Sequence, residues 1–85
     1  MDSKKSGEIV SELLENEEVA FTYDNHYIYI QEGCEGGYDG SIYASKEDYE
    51  NEVDCLDGGV CETIVAIIAV EFFTDISRNL TERGL

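Results

Sequence analysis

Residues 61–80, CETIVAIIAVEFFTDISRNL, hold the one long apolar run of this chain, and Ile64 to Val70 is apolar without a break. Twenty residues free of Gly and Pro exceed the usual length of a strand. Within them Cys61, Ile64, Val65, Ile68, Phe72, Ile76 and Leu80 recur at the 3.6-residue period, so the stretch reads as a helix with that stripe facing a core. Its β-branched residues, Thr63, Ile64, Val65, Ile67, Ile68 and Val70, would also suit a buried strand, and periodicity cannot arbitrate where every residue is apolar. Ile67, Val70 and Phe73 fall off the stripe and need cover of their own, as a homodimer would supply.

Working outward from this helix, SKEDYENEVDCLDGG (45–59) precedes it. Ser45 with Asp48 forms a capping-box-like start, and Tyr49 and Val53 at i, i+4 suggest a helix of about two turns that Gly58-Gly59 ends. Gly84 closes the long helix. Ser41 to Ala44 reads as a strand with Ile42 and Ala44 inward and Tyr43 outward. GCEGGYDG (33–40), with four glycines in eight residues, reads as a connection. It lacks the Lys and Ser/Thr of a phosphate-binding loop, and Glu35 and Asp39 would oppose an anion.

VAFTYDNHYIYI (19–30) places two alternating runs around Asp24-Asn25, a pair tolerant of positive φ, and so predicts a two-residue hairpin. Pairing Tyr23 with His26 sets Phe21 opposite Ile28 and Val19 opposite Ile30 on a core face. Thr22 then faces Tyr27 and Ala20 faces Tyr29 on an aromatic, half-polar one. Upstream, Ile9, Val10, Leu13 and Leu14 mark one face of a helix from Ser6 to Asn16, with Ser6 as its N-cap and Glu8 near the favourable end of the dipole. Glu15, Glu17 and Glu18 stop it, and residues 1–5 are expected to fray. The fold expected is a single α+β domain, residues 1–85, in the order α-β-β-β-α-α: a three-stranded antiparallel meander packed on helices.

Twenty acidic against five basic residues give a net charge of −15, while 42% apolar residues and nine aromatics are those of a folding sequence rather than a disordered one. Between Ser6 and Ser77 stand eighteen acids and one base, Lys46. Such a surface repels nucleic acid and attracts basic proteins with fast, salt-sensitive association. No leader, lipidation motif or membrane span is read in the sequence, and three cysteines suit a reducing compartment, so a cytoplasmic location is expected.

Six carboxylates, Glu47, Asp48, Glu50, Glu52, Asp54 and Asp57, fall within eleven residues. On a continuous helix they would present one negative charge per roughly 2.5 Å of axis, near the one per ~1.7 Å of duplex DNA. With Glu32, Glu35 and Asp39 they form the candidate acidic surface. Tyr27, Tyr29, Tyr43 and Tyr49 are its candidate anchors, because tyrosine offers a large contact area with a polar tip. The plain alternatives are a solvated acidic face, a structural or high-salt-adapted protein, or a homo-oligomeric adaptor; for the tyrosines it is simple cross-strand support.

A short acidic chain with a helix, a small antiparallel sheet and clustered Asp and Glu resembles the DNA-mimic inhibitors of phages and mobile elements, the anti-restriction and anti-CRISPR proteins. YIYIQEGCEGGYDGSIYA followed by DGG, residues 27–59, is similar to short domains of mobile-element proteins. The resemblance implies a partner class: a basic, nucleic-acid-binding protein or nuclease complex, held by steric and electrostatic competition.

No enzyme, cofactor or metal is implied. No nucleophile and base are adjacent in sequence, and carboxylate pairs among twenty acids identify nothing. Cys34, Cys55, Cys61 and His26 are a conceivable zinc set, yet C-x₅-C is not the usual tight pair and the positions scatter over a turn, a loop and two helix ends. Cys61 reads instead as a core residue of the long helix, Cys34 and Cys55 as ordinary thiols and His26 as a turn residue. Asp54 to Asp57 lacks the ligand ladder of a calcium loop.

Overall fold

The computed structural model describes residues 6–33 and 36–85. The fraying expected of residues 1–5, and everything expected of Cys34 and Glu35, lies outside the described residues. The chain runs α1 (Ser6–Asn16), β1 (Glu18–Tyr23), β2 (His26–Glu32), β3 (Tyr38–Tyr43), α2 (Lys46–Glu50), β4 (Asp57–Cys61) and α3 (Ala66–Glu82). The class is α+β, and the sheet is an antiparallel meander of four strands in the order β1-β2-β3-β4, one strand more than expected.

The hairpin forms in the predicted register, Tyr23 with His26 through Val19 with Ile30. Asp24 and Asn25 take φ of 52° and 66°, the paired left-handed conformation whose twist matches the flanking strands. α1 ends where expected, with Glu17 at φ 66° donating its N–H to the Leu13 carbonyl. Ser6 is the first helical residue, and its side chain lies outside the description.

Three expectations need correction. β3 begins at Tyr38 rather than Ser41, so Tyr38, Gly40 and Ile42 line the core and Ala44 is exposed beyond the strand. Asp57–Cys61 is a strand on the sheet edge, with Gly58 opposite Ser41 and Gly59 opposite Gly40, not the end of one helix and the start of the next. Cys61 is therefore a half-buried strand residue. The long helix starts only at Ala66: Thr63 donates its N–H back to the Cys61 carbonyl, Ile64 lies in a bend and Val65 is extended. Thr63 Oγ1 there accepts the Val65 N–H at 3.1 Å, and Val65 caps the helix with β-region dihedrals.

α3 also turns a different face inward. Ala66, Ala69, Val70, Phe73, Ser77 and Leu80 are buried, whereas Ile64, Val65, Ile68 and Phe72 of the expected stripe are exposed. The small residues Ala66 and Ala69 let the helix approach the sheet, and Phe73 occupies the space above Gly40. A Cβ built on Gly40 would stand 2.5 Å from the Phe73 ring. Ser77 reaches His26 Nδ1 at 2.8 Å and donates to the Tyr23 carbonyl at 3.3 Å, a polar link between the helix and the base of the hairpin. His26, expected as a turn residue, is the first residue of β2 and is buried beneath α3.

α1 and α3 cover one face of the sheet and enclose Ile9, Leu13, Val19, Phe21, Ile28, Ile30, Tyr38 and Ile42. α2 lies on the opposite face, over β2 and β3. Among the described residues no helix is long and apolar enough to cross a membrane.

Candidate functional site

Period-two alternation decides what the outer face of the sheet carries. With His26, Ile28 and Ile30 inward, β2 sends Tyr27, Tyr29 and Gln31 outward; β3 sends Asp39, Ser41 and Tyr43 the same way. Register sets Tyr27 opposite Tyr43 and Tyr29 opposite Ser41. The chain leaves β3 and starts α2 at Ser45, whose hydroxyl accepts the Asp48 N–H at 3.1 Å, the cap expected from the sequence. One turn later Tyr49 lies over the sheet.

Tyr49 is the hub of an aromatic cluster. Its ring centroid is 5.2 Å from Tyr27, 5.7 Å from Tyr29 and 5.2 Å from Tyr43, the last in an edge-on arrangement. These separations are those of favourable quadrupolar contacts. All four rings are partly exposed, so the face is at once a structural cluster and an accessible surface.

Two grooves flank the hub. One is lined by Glu12, Asn16, Glu18, Ala20, Tyr27, Tyr29 and Tyr49, the other by Tyr43, Tyr49, Glu50, Glu52, Val53, Asp54 and Cys55. Carboxylates thus stand on both sides of the aromatic rings. The Tyr29 hydroxyl donates to Glu18 Oε1 at 2.6 Å and lies 3.1 Å from Gln31 Oε1. Burial, then the hydrogen bond to Glu18 and the charge of Glu18, push the Tyr29 phenol up to about 12. The Tyr27 phenol is raised as well, by burial first and then by Tyr49 and Glu50. Neutral phenols beside carboxylates offer π-faces and negative charge together, the combination that receives a guanidinium or ammonium group.

The residues singled out in the sequence divide into groups. Tyr27, Tyr29, Tyr43, Tyr49, Glu50, Glu52 and Asp54 come together, with Glu47 and Asp48 beside them in the first turn of α2. Glu32 and Asp39 lie at the far end of β2 and β3, where Asp39 lines a separate glycine-rich cleft with Glu62. Asp57 begins β4 and its Oδ1 accepts the Gly58 N–H at 2.7 Å. The expectation of one acidic helical rod from Glu47 to Asp57 is corrected. The helix stops at Glu50, Glu52 takes φ 61°, and Val53 is exposed in an irregular segment instead of completing a second turn. Sequence reasoning missed Glu12 and Glu18. The hairpin register already held the signal for Glu18, which falls opposite Gln31 on the face that carries Tyr29.

Of the weighed zinc set, His26 is engaged with Ser77 in the core and Cys55 is exposed in the second groove. Among the described residues no three metal-ligating side chains converge. Comparison with protein-family models, with curated proteins and with solved structures gives no match, so the geometry of this face carries the functional reading.

Proposed function

We propose that this chain is a non-enzymatic binding protein whose outer sheet face engages the basic surface of another protein, one that otherwise holds nucleic acid. The reading rests on one observation: the Tyr49-centred cluster is flanked on both sides by grooves that carry carboxylates, Glu12 and Glu18 on one and Glu50, Glu52 and Asp54 on the other. Lysines and arginines that normally neutralise phosphates meet carboxylates there, and their apolar stems meet aromatic rings. The sheet face replaces the charged rod as the recognition element. Each exposed ion pair contributes only ~0–1 kcal/mol, so affinity comes from many pairs acting with a few desolvated tyrosine anchors.

The test is capture from host lysate at low and moderate salt, followed by competition. A captured protein should be a nuclease or nucleic-acid-binding protein, and adding this chain should release duplex DNA from it. Tyr49→Ala, and Glu50→Gln with Glu52→Gln and Asp54→Asn, should each abolish that release. Capture that yields no nucleic-acid-binding protein, or release unchanged by both variants, overturns the reading.

A further inference from the structure

We propose that two copies of this chain associate edge to edge through β4, extending the sheet across a two-fold axis and bringing together the exposed apolar flanks of their α3 helices. β4 is the last strand of the sheet, and its residues, DGGVC, carry neither Lys nor Pro, the usual guards of an open edge. Four of the five are exposed. Such an edge is a template for another strand.

An apolar strip follows directly after that edge in the chain. Ile64 is 85% exposed, the most of any large apolar side chain described, whereas Val60, paired with Asp39, lies on the outer face of the sheet. Val65, Ile68 and Phe72 carry the strip onto the helix, each about 40–50% exposed. Their side of α3 follows from its hydrogen bonds. Arg78 donates to the Tyr23 hydroxyl and Thr81 to the Asp24 carbonyl, which turns that flank toward the β1–β2 hairpin. At 3.6 residues per turn Val65, Ile68 and Phe72 fall on the opposite flank, toward β4.

Charge selects the occupant. Residues 63–70, TIVAIIAV, are the longest uncharged run in a chain of net charge −15. A basic partner finds nothing there to pair with, whereas a second copy meets this surface where mutual repulsion is least. The edge is also self-complementary. Antiparallel pairing centred on Gly59 sets Gly58 against the partner's Val60 and Asp57 against the partner's Cys61, so the two Asp57 carboxylates do not face each other. It places both copies of α3 on one side of the joined sheet with their apolar flanks adjacent. Ile64, Val65, Ile68 and Phe72 together expose on the order of 400 Å² in each copy, so pairing two copies, strand backbones included, buries close to the ~1,000 Å² that a specific interface requires.

Sedimentation velocity across the micromolar range tests this directly. The expected species has twice the 9.5 kDa mass of the chain and tightens with added salt, because screening relieves the repulsion between two acidic copies. Ile64→Glu and Ile68→Glu lie at exposed positions and should leave circular dichroism intact while weakening association at least about tenfold. Ser11→Glu, on the exposed side of α1, adds the same charge and should change nothing. A mass of 9.5 kDa throughout the range, even in moderate salt, overturns the proposal. So does a dimer indifferent to both interface variants, or one that Ser11→Glu weakens equally. The proposal does not depend on the outer tyrosine face, and its salt dependence has the opposite sign to that of binding a basic protein.

Discussion

Gly40 and Gly59 face each other across β3 and β4, and an alanine at each should move stability in opposite directions. A Cβ on Gly40 would lie 2.5, 2.6 and 2.7 Å from Cε1, Cδ1 and Cζ of Phe73, a fully buried ring. The ring must retreat roughly 1 Å to reach ordinary van der Waals contact. Overpacking of this kind costs ~1–3 kcal/mol, against a gain of ~0.4–1 kcal/mol from restricting the unfolded chain. The net expectation for Gly40→Ala is a loss of about 1–2 kcal/mol. A Cβ on Gly59 meets nothing within 4 Å and φ there is not positive, so only the unfolded-state gain applies, and Gly59→Ala should be neutral or stabilising by up to ~1 kcal/mol. Urea unfolding at low protein concentration reads both, with the midpoint of Gly40→Ala falling by about 1 M at unchanged slope. Combining Gly40→Ala with Phe73→Leu should recover at least ~0.5 kcal/mol relative to additivity, since the clash is shared. If Gly40→Ala proves as stable as the parent, or the two alanine variants shift the same way, Phe73 does not seat on Gly40 and the assigned phase of α3 is wrong.

Ser77→Ala removes the partner of His26 Nδ1 and a donor to the Tyr23 carbonyl, and should cost ~1–3 kcal/mol by urea unfolding because the stranded groups stay buried. Tyr29 should ionise near pH 12 when phenolate absorbance is compared with that of Tyr29→Phe. Since the fold favours its neutral form, the associated stability is complete below pH 10, is lost as pH rises toward 12, and shrinks in Glu18→Gln. Burial raises the Cys61 thiol while Cys55 is exposed, so peptide mapping after brief alkylation should find Cys55 modified well before Cys61.

What could be read in the sequence was what neighbouring residues decide. Asp24-Asn25 fixes the parity of the hairpin, and parity alone sends Tyr27, Tyr29 and Tyr43 to one face and Phe21, Ile28 and Ile30 to the other. Ser45 and Asp48 likewise contain the start of α2 within four residues. β4 was illegible because DGGVC has almost no side-chain pattern; β3 makes it a strand through backbone pairing, where a chain-local reading takes Gly-Gly for a breaker. The phase of α3 was hidden for a different reason. Every position from Ile64 to Val70 is apolar, so the choice of buried face falls to distant partners, Gly40 beneath Phe73 and His26 beside Ser77. The candidate site follows the same division. Period two predicts its tyrosines, but bringing Tyr49 onto them requires α2 to fold back over the sheet, and Glu52 at positive φ breaks the acidic helix that spacing implied.

Ionic strength separates the forces acting on this molecule, because one variable moves three properties with different signs. The described acids stand outside a core of apolar residues, with His26 and Ser77 as its buried polar pair, so their repulsion acts across solvent, where added salt screens it. Unfolding free energy should therefore rise modestly with KCl and then level off once the Debye length falls below the spacing of the charges, whereas a fold adapted to very high salt keeps gaining through the molar range. Self-association through β4 should tighten over the same interval for the same reason. Binding of a basic protein to the tyrosine face should weaken steadily, since there the salt screens attraction. Urea midpoints, sedimentation and a binding titration on one protein preparation, each repeated across that salt series, give three slopes. If all three share a sign, a single nonspecific charge effect governs the molecule, and assigning different partners to its two surfaces is wrong.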